Sequence, residues 1–334
     1  MTDSSSWHQR WHPLRREWVV YSAHRNTRPW VGKREIDDAR ADLPSYEPNC
    51  YLCPSNTRAS GETNPDYDGV FVFDNDHPVV SMGAPSIDPS VEGRQRRASG
   101  VSRVICYDPR HDLTLTEMPL GRVVEVFKTW KEQTSLLATI PDVKFVLVFE
   151  NRGEITGTSA PHPHCQIYAT NFVFKNIEIE LESMRGDPTI FQSILTEEGD
   201  SSRVIAENEH AIAFVPFFAR YPYEVWLFPK QRHPDLRTVP QDELVGLADV
   251  YLQLTKRYDG MFASSFPFVM SLYQAPVDGN DYDRYHLHFV FLPPLRRPGI
   301  QKFPAGPEIG GGNFMNDMLP EIAAEELRTV QITH

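Results

Sequence analysis

The sequence predicts an α+β fold built from two similar halves. Two long segments, Pro119–Ala138 and Pro240–Tyr258, carry apolar residues at helical spacing, and each is followed by strand-like runs rich in β-branched and aromatic residues. Each half also contains an H-x-H pair on a predicted strand. The four histidines of these pairs are His162, His164, His286 and His288. This repeated order indicates two related halves, which we place at residues 1–195 and 196–334.

In the first half, strands and loops surround one long helix. Trp18–Ser22 and Val70–Phe73 are predicted strands because β-formers dominate both runs. Residues 83–100 are rich in Gly, Ala, Pro, Ser and Arg, which favours a surface loop. The helix Pro119–Ala138 has apolar residues three and four positions apart and is expected to face the core. A buried strand follows over Lys144–Glu150.

The second half repeats this order. Three strands are predicted, at residues 211–217, 223–228 and 267–273. The intervening helix Pro240–Tyr258 is preceded by Thr238, with Gln241 three residues on, which is the spacing of a capping box. The strand Tyr285–Phe291 then carries the second H-x-H pair. A last helix is expected to open near residues 316–321.

Composition restricts the possible functions of the chain. With 334 residues, 40% hydrophobic and 23% charged, it is long enough for about two globular domains. The formal net charge of −12 argues against a broad nucleic-acid or membrane-surface footprint, because phosphate backbones require basic stripes. A small phosphorylated ligand needs only a few local cations. No apolar run reaches membrane-spanning length, and the polar, basic start predicts no secretory signal.

The four cysteines, Cys50, Cys53, Cys106 and Cys165, are too few for a disulfide framework in so long a chain, so a cytoplasmic location is expected. The C-x-x-C pair at Cys50 and Cys53 can be redox-active, zinc-binding or accidental. No thioredoxin-like βαβ pattern surrounds it, which weakens the redox interpretation. Structural zinc usually takes four nitrogen or sulfur ligands, so two more would have to come from elsewhere, with twelve histidines as candidates.

Reactive side chains concentrate between Gly157 and Tyr168, where a Gly/Ser/Pro turn leads into a strand. Side chains two residues apart on a strand share a face, so His162, His164 and Gln166 are predicted to point the same way. A neutral imidazole is a usable nucleophile when an acceptor holds its other ring nitrogen. The alternative is a pair of surface histidines on a polar strand face.

Three adjoining motifs resemble the active-site signature of the galactose-1-phosphate uridylyltransferases, the transferase branch of the histidine-triad superfamily. They are F-E-N-R-G at 149–153, G-T-S-A-P at 157–161 and H-P-H-C-Q at 162–166. The resemblance extends from Trp18 to about Arg328. It implies two histidine-triad-like halves that form one long, mostly antiparallel sheet flanked by helices.

The resemblance implies that His164 is a nucleophile, with Gln166 and Ser159 as supporting catalytic residues. Glutamine at position 166 is typical of the transferases, whereas related hydrolases have a third histidine there. The implied reaction is a ping-pong exchange of UMP between UDP-glucose and galactose 1-phosphate through a uridylyl-histidine. Two alternatives remain. One is a related transferase or phosphorylase for another hexose 1-phosphate or an ADP-sugar, and the other is a non-catalytic, zinc-stabilised nucleotide-sugar binding protein.

The resemblance also implies a set of substrate-binding residues: Arg25, Arg28, Phe73, Asn75, Asn151, Gly157, Lys302 and Glu308. In the family, the two arginines lie near the nucleotide phosphates and the F-x-N pair near the uridine. The lysine lies near a phosphate and the glutamate near the sugar hydroxyls. From the residues alone, Arg25 and Arg28 would be solvated surface charges and Phe73 a core residue. Pro307 replaces a residue that is commonly serine or tyrosine in the family.

A structural zinc site is implied as well, with Cys50, Cys53, His111 and His162 as ligands. Some family members carry a second metal site, of which this chain keeps Glu180 and His288, while Tyr273 and Val290 occupy the other two positions. We therefore expect the second site to be empty. His286 is expected to face the opposite side of its strand and not to restore that site.

The implied partners are small molecules and a second copy of the chain. The substrates would be a UDP-sugar and a hexose 1-phosphate. Family members are homodimers in which both subunits build each nucleotide site, so a homodimer with shared active sites is expected. Neither nucleic acid nor membrane is an expected partner.

Overall fold

The structure, a computed structural model, describes residues 7–27, 43–88, 90, 93–262 and 265–332. Fourteen strands are found in these ranges: β1 (Trp7–His12), β2 (Glu17–Ser22), β3 (Phe71–Asp74), β4 (Gly100–Cys106), β5 (Phe145–Arg152), β6 (His164–Thr170), β7 (Val204–Glu207), β8 (Ala211–Phe214), β9 (Val225–Pro229), β10 (Phe268–Tyr273), β11 (His288–Leu292), β12 (Leu295–Arg297), β13 (Ile300–Gln301) and β14 (Met315–Asn316). The helices are α1 (Leu120–Leu137), α2 (Lys175–Gly186), α3 (Ile190–Gly199), α4 (Gln241–Phe262) and α5 (Pro320–Thr329).

Nine of the described strands form one antiparallel sheet in the order β3-β4-β6-β5-β10-β11-β9-β8-β7. The two halves of the chain repeat one connection, β4–α1–β5–β6 in the first and β9–α4–β10–β11 in the second. Within the sheet, β4, β6 and β5 lie in the same relative order as their counterparts β9, β11 and β10, counted from opposite edges of the sheet. Strands β5 and β10 pair where the two halves meet. The predicted fold class of two similar halves on one long sheet is confirmed.

One face of the sheet packs against α1 and α4. The predicted stripe of α1 is a core face, since Val123, Phe127 and Trp130 have no exposed surface. A large side chain buried in this way contributes strongly, and its removal typically costs about 3–5 kcal/mol. This layer fixes the back of strands β5 and β6.

The opposite face is covered unevenly. Helices α2 and α3 cover its second half and bury a cluster that includes Phe191, Trp226 and Phe228. Over β5 and β6 the same face is less covered, and Phe149, Gln166 and Tyr168 remain partly exposed. The difference leaves room for a cleft beside β6.

A second, three-stranded sheet joins the beginning and the end of the described chain in the order β1-β2-β14. Strand β14 runs parallel to β2, with Met315 opposite Val20. This sheet is attached to the second half, because the Tyr21 hydroxyl donates to the Ala219 carbonyl at 2.6 Å.

The predicted elements are largely present, with shifted ends. The helix expected at residues 240–258 continues to Phe262, and the strand expected at 70–73 is β3. Strand β1 and helices α2 and α3 are among the elements that were not predicted from the sequence. Helix α2 begins after Phe174 without a side-chain cap, so the usual start signal is absent. No helix in the described ranges combines the length and apolarity that crossing a membrane requires.

Candidate active site

Four predicted metal ligands converge in the first half of the chain. The ligand atoms of Cys50, Cys53, His111 and His162 all lie within 4.8 Å of one another, and all four side chains are buried. The Cys53 Sγ is 3.6 Å from Nδ1 of His111 and 3.6 Å from Nδ1 of His162. A tetrahedral zinc ion with bonds of about 2.3 Å to sulfur and about 2.0–2.1 Å to nitrogen requires a sulfur–nitrogen separation of about 3.5–3.6 Å. The arrangement therefore suits a closed, structural metal site.

Tyr67 fixes the ring of His162 for this role. The Tyr67 hydroxyl donates to the Leu52 carbonyl at 2.6 Å and lies 3.1 Å from Nε2 of His162. Because the carbonyl can only accept, the hydroxyl proton is used there, and the Tyr67 oxygen accepts from Nε2–H of His162. Nδ1 of His162 then presents its lone pair to the two cysteines, as metal ligation requires.

The N-P-D-Y segment that contains Tyr67 also shapes the C-x-x-C loop. The Asn64 amide donates to the Tyr51 carbonyl at 2.9 Å and to the Cys53 carbonyl at 3.0 Å. No function was predicted for this segment from the sequence. The signal was available, because an asparagine and a tyrosine close after a C-x-x-C can supply the groups that orient metal ligands.

His164 is the first residue of β6 and is half-buried. Its Nδ1 lies 2.8 Å from the His162 carbonyl oxygen. Since a carbonyl only accepts, Nδ1 must be protonated and Nε2 must carry the free lone pair. Burial lowers the pKa of His164 below its ordinary value, and the carbonyl bond partly opposes that shift. The neutral ring therefore presents one nucleophilic nitrogen.

Strand β6 is fixed from the opposite face. The side chain of Cys165 points towards α1, where the Trp130 indole N–H donates to its sulfur at 3.1 Å. Burial, the first of several causes, raises the pKa of the Cys165 thiol to about 12, so the thiol stays neutral. The alternation predicted for this strand is confirmed: residues 164, 166 and 168 are partly exposed and residues 165, 167 and 169 are buried.

Gln166 is oriented by two donors. The Asn75 amide donates to its Oε1 at 3.3 Å, and the Tyr168 hydroxyl donates to the same oxygen at 3.1 Å. With Oε1 occupied, the Nε2 amide of Gln166 remains the group that can donate to a ligand. Tyr168 was not predicted as a site residue, although its position two residues after Gln166 on a strand was a usable signal.

A cleft of about 430 Å³ opens beside His164. Its lining comes from the end of β5 and from the turn before β6, and it includes Asn151, Ser159 and His164. Asn151 lies on β5 two residues beyond Phe149, which pairs with Gln166, so Asn151 and His164 share one face of neighbouring strands. A cleft of this size can admit a small phosphorylated ligand.

Gly153 lines the cleft, and Gly157 turns the chain just before the lining residues Thr158 and Ser159. Gly157 has φ = 83°, a left-handed conformation that turns the chain towards Ser159. Gly153 has φ = 88°, and a Cβ there would lie 2.8 Å from Cβ of Pro267. Ser159 is exposed within the turn, and its Oγ lies 2.7 Å from the Tyr51 hydroxyl.

Phe73 packs beside the cluster of two cysteines and two histidines. The side chain is 9% exposed, the Phe71 ring lies 5.4 Å away, and the Arg58 guanidinium covers its face at 4.3 Å. Val104, another member of this small cluster, faces Phe73 from β4. Core packing is thus the interaction that this side chain makes within the chain.

A second group of predicted binding residues lies around β14. The Lys302 ammonium is buried, donates to the Met315 carbonyl and lies 3.5 Å from Oε1 of Glu308. Burial lowers the pKa of Lys302, and Glu308 partly opposes the shift.

Arg25 lies 3.8 Å from Asp317 in the same region. These residues are not part of the cleft lining around His164. Arg28 lies outside the described residues.

Glu180 and His288 lie in the buried core of the second half, 3.7 Å apart. The Arg15 guanidinium is 3.1 Å from Oε1 of Glu180, and the Tyr285 hydroxyl donates to Oε2 at 2.5 Å. Burial raises the pKa of Glu180, but Arg15 and His288 outweigh burial and hold that pKa below its ordinary value. A buried arginine therefore neutralises the carboxylate at this position.

The expected orientation of His286 was wrong. The His286 ring lies 5.3 Å from Phe228, and the His288 ring lies 4.6 Å from the same side chain, so both histidines face one side. Residues two apart in an extended chain share a face. The His286 ring is nevertheless engaged elsewhere, since its Nε2 donates to the Gln231 carbonyl at 3.0 Å.

Comparison with protein families assigns the two halves of the chain separately. Residues 1–173 match the family described as galactose-1-phosphate uridyl transferase, N-terminal domain. Residues 175–334 match the corresponding C-terminal domain. Together, the two matches extend over nearly the whole chain.

Individual relatives agree with this match. A galactose-1-phosphate uridylyltransferase of Haemophilus influenzae is 38% identical, covering 98% of this chain and 95% of the relative. A protein of the same name from Rattus norvegicus is 36% identical, covering 98% of this chain and 88% of the relative. Among solved structures, a uridylyltransferase matches with a TM-score of 0.76 and 26% identity, covering 96% of this chain and 97% of that chain.

Proposed function

Because the chain belongs to the galactose-1-phosphate uridylyltransferase family, we propose that it exchanges a uridylyl group between UDP-glucose and galactose 1-phosphate. The observation that carries this proposal is the fixed tautomer of His164. Its Nδ1–H is bonded to the His162 carbonyl, so the lone pair of Nε2 is free beside a cleft. This is the arrangement that a nucleophilic imidazole requires.

In the first step, Nε2 of His164 attacks the α-phosphorus of UDP-glucose. A phosphorus–nitrogen bond forms as the bond to the bridging oxygen breaks, and glucose 1-phosphate leaves with that electron pair. In the second step, a phosphate oxygen of galactose 1-phosphate attacks the same phosphorus and releases Nε2. No general base is required, because the imidazole lone pair is free and the incoming phosphate oxygen is already ionised.

The surrounding donors stabilise the charge that develops in both steps. The imidazole ring becomes cationic when Nε2 bonds to phosphorus, and the Nδ1–H bond to the His162 carbonyl then becomes charge-assisted. Gln166, Ser159 and Asn151 offer amide and hydroxyl donors to the phosphoryl oxygens. Preorganised donors of this kind typically contribute a factor of about 10²–10³ each.

We propose zinc for the cluster of Cys50, Cys53, His111 and His162. The donor set is soft, the cluster is buried, and Tyr67 orients His162, all of which fit a closed Cys₂His₂ site. Bound zinc would supply structural cross-linking and no open coordination position. Its effect on the reaction would be indirect, because His162 also provides the carbonyl that orients His164.

We also propose that no second metal binds at Glu180 and His288. Arg15 already supplies a cation 3.1 Å from Glu180, and Tyr285 takes the other carboxylate oxygen. A metal ion would have to displace a buried guanidinium, which is unfavourable.

The active form is proposed to be a homodimer with shared sites. Arg25, Lys302 and Glu308 surround β14, whereas the cleft lies against β5 and β6. If these residues contact substrate, a second chain is a simple way to bring them to the cleft. We propose the same role for Arg28.

We further propose that the chain consists of two related halves, 1–195 and 196–334. The proposed location is cytoplasmic, which is consistent with the four free thiols.

The experiment that tests the transferase assignment is a labelling assay. The purified chain is incubated with UDP-glucose radiolabelled in the uracil ring, and label bound to acid-sensitive phosphohistidine is measured. The wild type and a His77→Ala control, which changes an exposed histidine, should both become labelled, and His164→Ala should not. Label on His164→Ala protein would overturn the assignment of the nucleophile.

Acceptor and nucleotide specificity separate this activity from the alternatives. Galactose 1-phosphate should discharge the label as UDP-galactose faster than inorganic phosphate does, and UDP-glucose should be preferred to ADP-glucose. Preferential discharge by phosphate or labelling from ADP-glucose would indicate the related phosphorylase. Stabilisation by UDP-glucose without any label would indicate a binding protein.

Shared sites can be tested with hybrid dimers. Chains carrying His164→Ala and chains carrying Lys302→Met are each expected to be impaired. Co-expression would restore one intact site in each hybrid, so about a quarter of wild-type activity is expected for random pairing. No recovery would contradict the shared site while leaving the labelling result unaffected.

A further inference from the structure

We propose that Tyr51 is a positioning residue that makes Ser159 a hydrogen-bond donor to the phosphoryl group. This inference rests on the proposed function and concerns a residue between the two cysteines of the C-x-x-C loop. The Tyr51 hydroxyl lies 2.7 Å from Oγ of Ser159, although 108 positions separate the two residues in the sequence. The hydrogen bond thus joins the metal loop directly to the turn before β6.

The hydrogen bond can have either direction, and the two directions have opposite consequences. If Ser159 donated to Tyr51, the serine would present only lone pairs to the cleft, which would repel an anionic phosphoryl oxygen. If Tyr51 donates, the serine proton remains available to the cleft. A phenol is a stronger donor than an aliphatic alcohol, and bound phosphate favours the second arrangement further.

The Tyr51 backbone is held firmly enough to give this hydrogen bond a defined position. Its carbonyl accepts from the Asn64 amide at 2.9 Å, and the backbone N–H of Cys53 donates to the Cys50 carbonyl at 3.2 Å across the same loop. The side chain itself is 39% exposed, so its ring is not fixed by core packing. The hydroxyl contact with Ser159 is therefore the specific interaction that Tyr51 makes towards the cleft.

The metal cluster then has two connections to the active site. One connection runs from His162 through its carbonyl to Nδ1 of His164. The other runs from the Cys50–Cys53 loop through Tyr51 to Ser159. The nucleophile and a phosphoryl donor are thus placed relative to one another by the same cluster, which preorganises the site.

A double-mutant cycle tests the proposal. The variants are Tyr51→Phe, Ser159→Ala and the combination of both, and the readout is the single-turnover rate of uridylyl-enzyme formation from labelled UDP-glucose. Tyr51→Phe should lower this rate about 3- to 10-fold, the range of one hydrogen bond. In the Ser159→Ala background, Tyr51→Phe should have no further effect, because the hydroxyl then has nothing to orient.

Tyr46→Phe is the matched control. Tyr46 is 45% exposed on the same segment, and its hydroxyl contacts Asn56 instead of Ser159. This variant should react at the wild-type rate, and zinc content and thermal stability should be unchanged in all single variants. A full rate for Tyr51→Phe, or the same loss with and without Ser159, would overturn the inference. An unlabelled wild type would instead overturn the proposed function, and the inference with it.

Discussion

The two H-x-H strands of this protein have the same local geometry and different environments. At the start of β6, Nδ1 of His164 donates to the His162 carbonyl at 2.8 Å, and at the start of β11, Nδ1 of His288 donates to the His286 carbonyl at 3.0 Å. In both places the second histidine is held in the same tautomer by the residue two positions earlier. The short-range sequence pattern alone accounts for this shared hydrogen bond.

The two strands differ in the parts of the protein that cover them. His164 opens onto a cleft and is followed on its face by Gln166, which can donate to a ligand. His288 has no exposed surface, and its ring stacks on Phe228 at 4.6 Å. Its face continues with Val290, which offers no polar group. Helices α2 and α3 cover the second strand, so an imidazole that is chemically similar cannot meet a substrate there.

The first histidine of each pair differs as well. His162 belongs to the cluster of two cysteines and two histidines, whereas Nε2 of His286 donates to the backbone carbonyl of Gln231. In both strands, the H-x-H motif therefore fixes the orientation of the second imidazole ring. Access and neighbouring residues decide whether that ring reacts, binds metal or packs.

The largest expected effect separates the two second histidines. His164→Ala should lower the turnover number at least about 10⁴-fold, because the covalent route is lost. His288→Ala should leave the turnover of folded protein within about 3-fold while lowering the free energy of unfolding by about 2–4 kcal/mol through lost packing. Steady-state kinetics measure the turnover number of each variant, and urea titration measures its free energy of unfolding. A large catalytic loss in His288→Ala would show that the second strand participates in the reaction.

The two buried polar clusters should differ in metal content. Elemental analysis is expected to give about one zinc per chain, lost in Cys53→Ala and retained in Glu180→Gln. Zinc held at a free concentration 1,000-fold above its dissociation constant stabilises the folded state by about 4 kcal/mol, so the Cys53 variant should unfold correspondingly earlier. Two metal equivalents in the wild type, one of them lost with Glu180, would refute the proposed role of Arg15.

Arg15 and Glu180 form an ion pair whose two side chains are buried, with 3% and 0% exposed. Removing one partner, as in Arg15→Met, should cost about 3–5 kcal/mol in the free energy of unfolding because a buried charge is left alone. The double variant Arg15→Met/Glu180→Leu should recover most of that loss. Equal destabilisation of the single and double variants, measured by urea titration, would argue that packing and not charge explains the effect.

The smallest expected effect is a pH dependence centred on His286. Burial lowers the pKa of His286 to about 3, and His288 and Arg232 add to the shift. In the unfolded chain this histidine becomes protonated near pH 6.5, whereas in the folded chain it stays neutral until about pH 3. Protonation between these values therefore favours the unfolded state, so the free energy of unfolding is highest above pH 6.5 and falls as the pH falls towards 3. His286→Gln should therefore reduce the slope of unfolding free energy against pH, between pH 6 and 5, by up to about 1.4 kcal/mol per unit. An unchanged slope would show that His286 does not set this dependence.

Local pattern was enough to predict several parts of the fold and the site. The stripe on α1 identified a core helix because helical spacing places Val123, Phe127 and Trp130 on one side. Alternation on β6 placed His164 and Gln166 on one face, as the burial pattern confirms. The meeting of the C-x-x-C loop with His111 and His162 was implied by the family resemblance and not by local pattern, and the four side chains do lie together.

Local sequence pattern could not predict contacts between residues that are far apart in the chain. Nothing near Arg15 in the sequence indicates that its guanidinium lies against Glu180, because the pairing depends on how the β1–β2 turn packs on α2. The hydrogen bond between Tyr51 and Ser159 likewise joins two loops that are 108 positions apart in the sequence. The opposite-face expectation for His286 failed for a simpler reason, since the two-residue period was misapplied.

By itself, the sequence determined the main helices and strands and the shared face of His164 and Gln166, because strand and helix periodicity is a property of neighbouring residues. The proposed nucleophile and the four proposed metal ligands came from the resemblance of the sequence to a family. Only the tertiary structure decided which H-x-H strand is open, which buried carboxylate is neutralised by an arginine, and which tyrosine reaches Ser159. These outcomes depend on the packing of helices and loops that are far apart in the chain, and no local pattern specifies that packing.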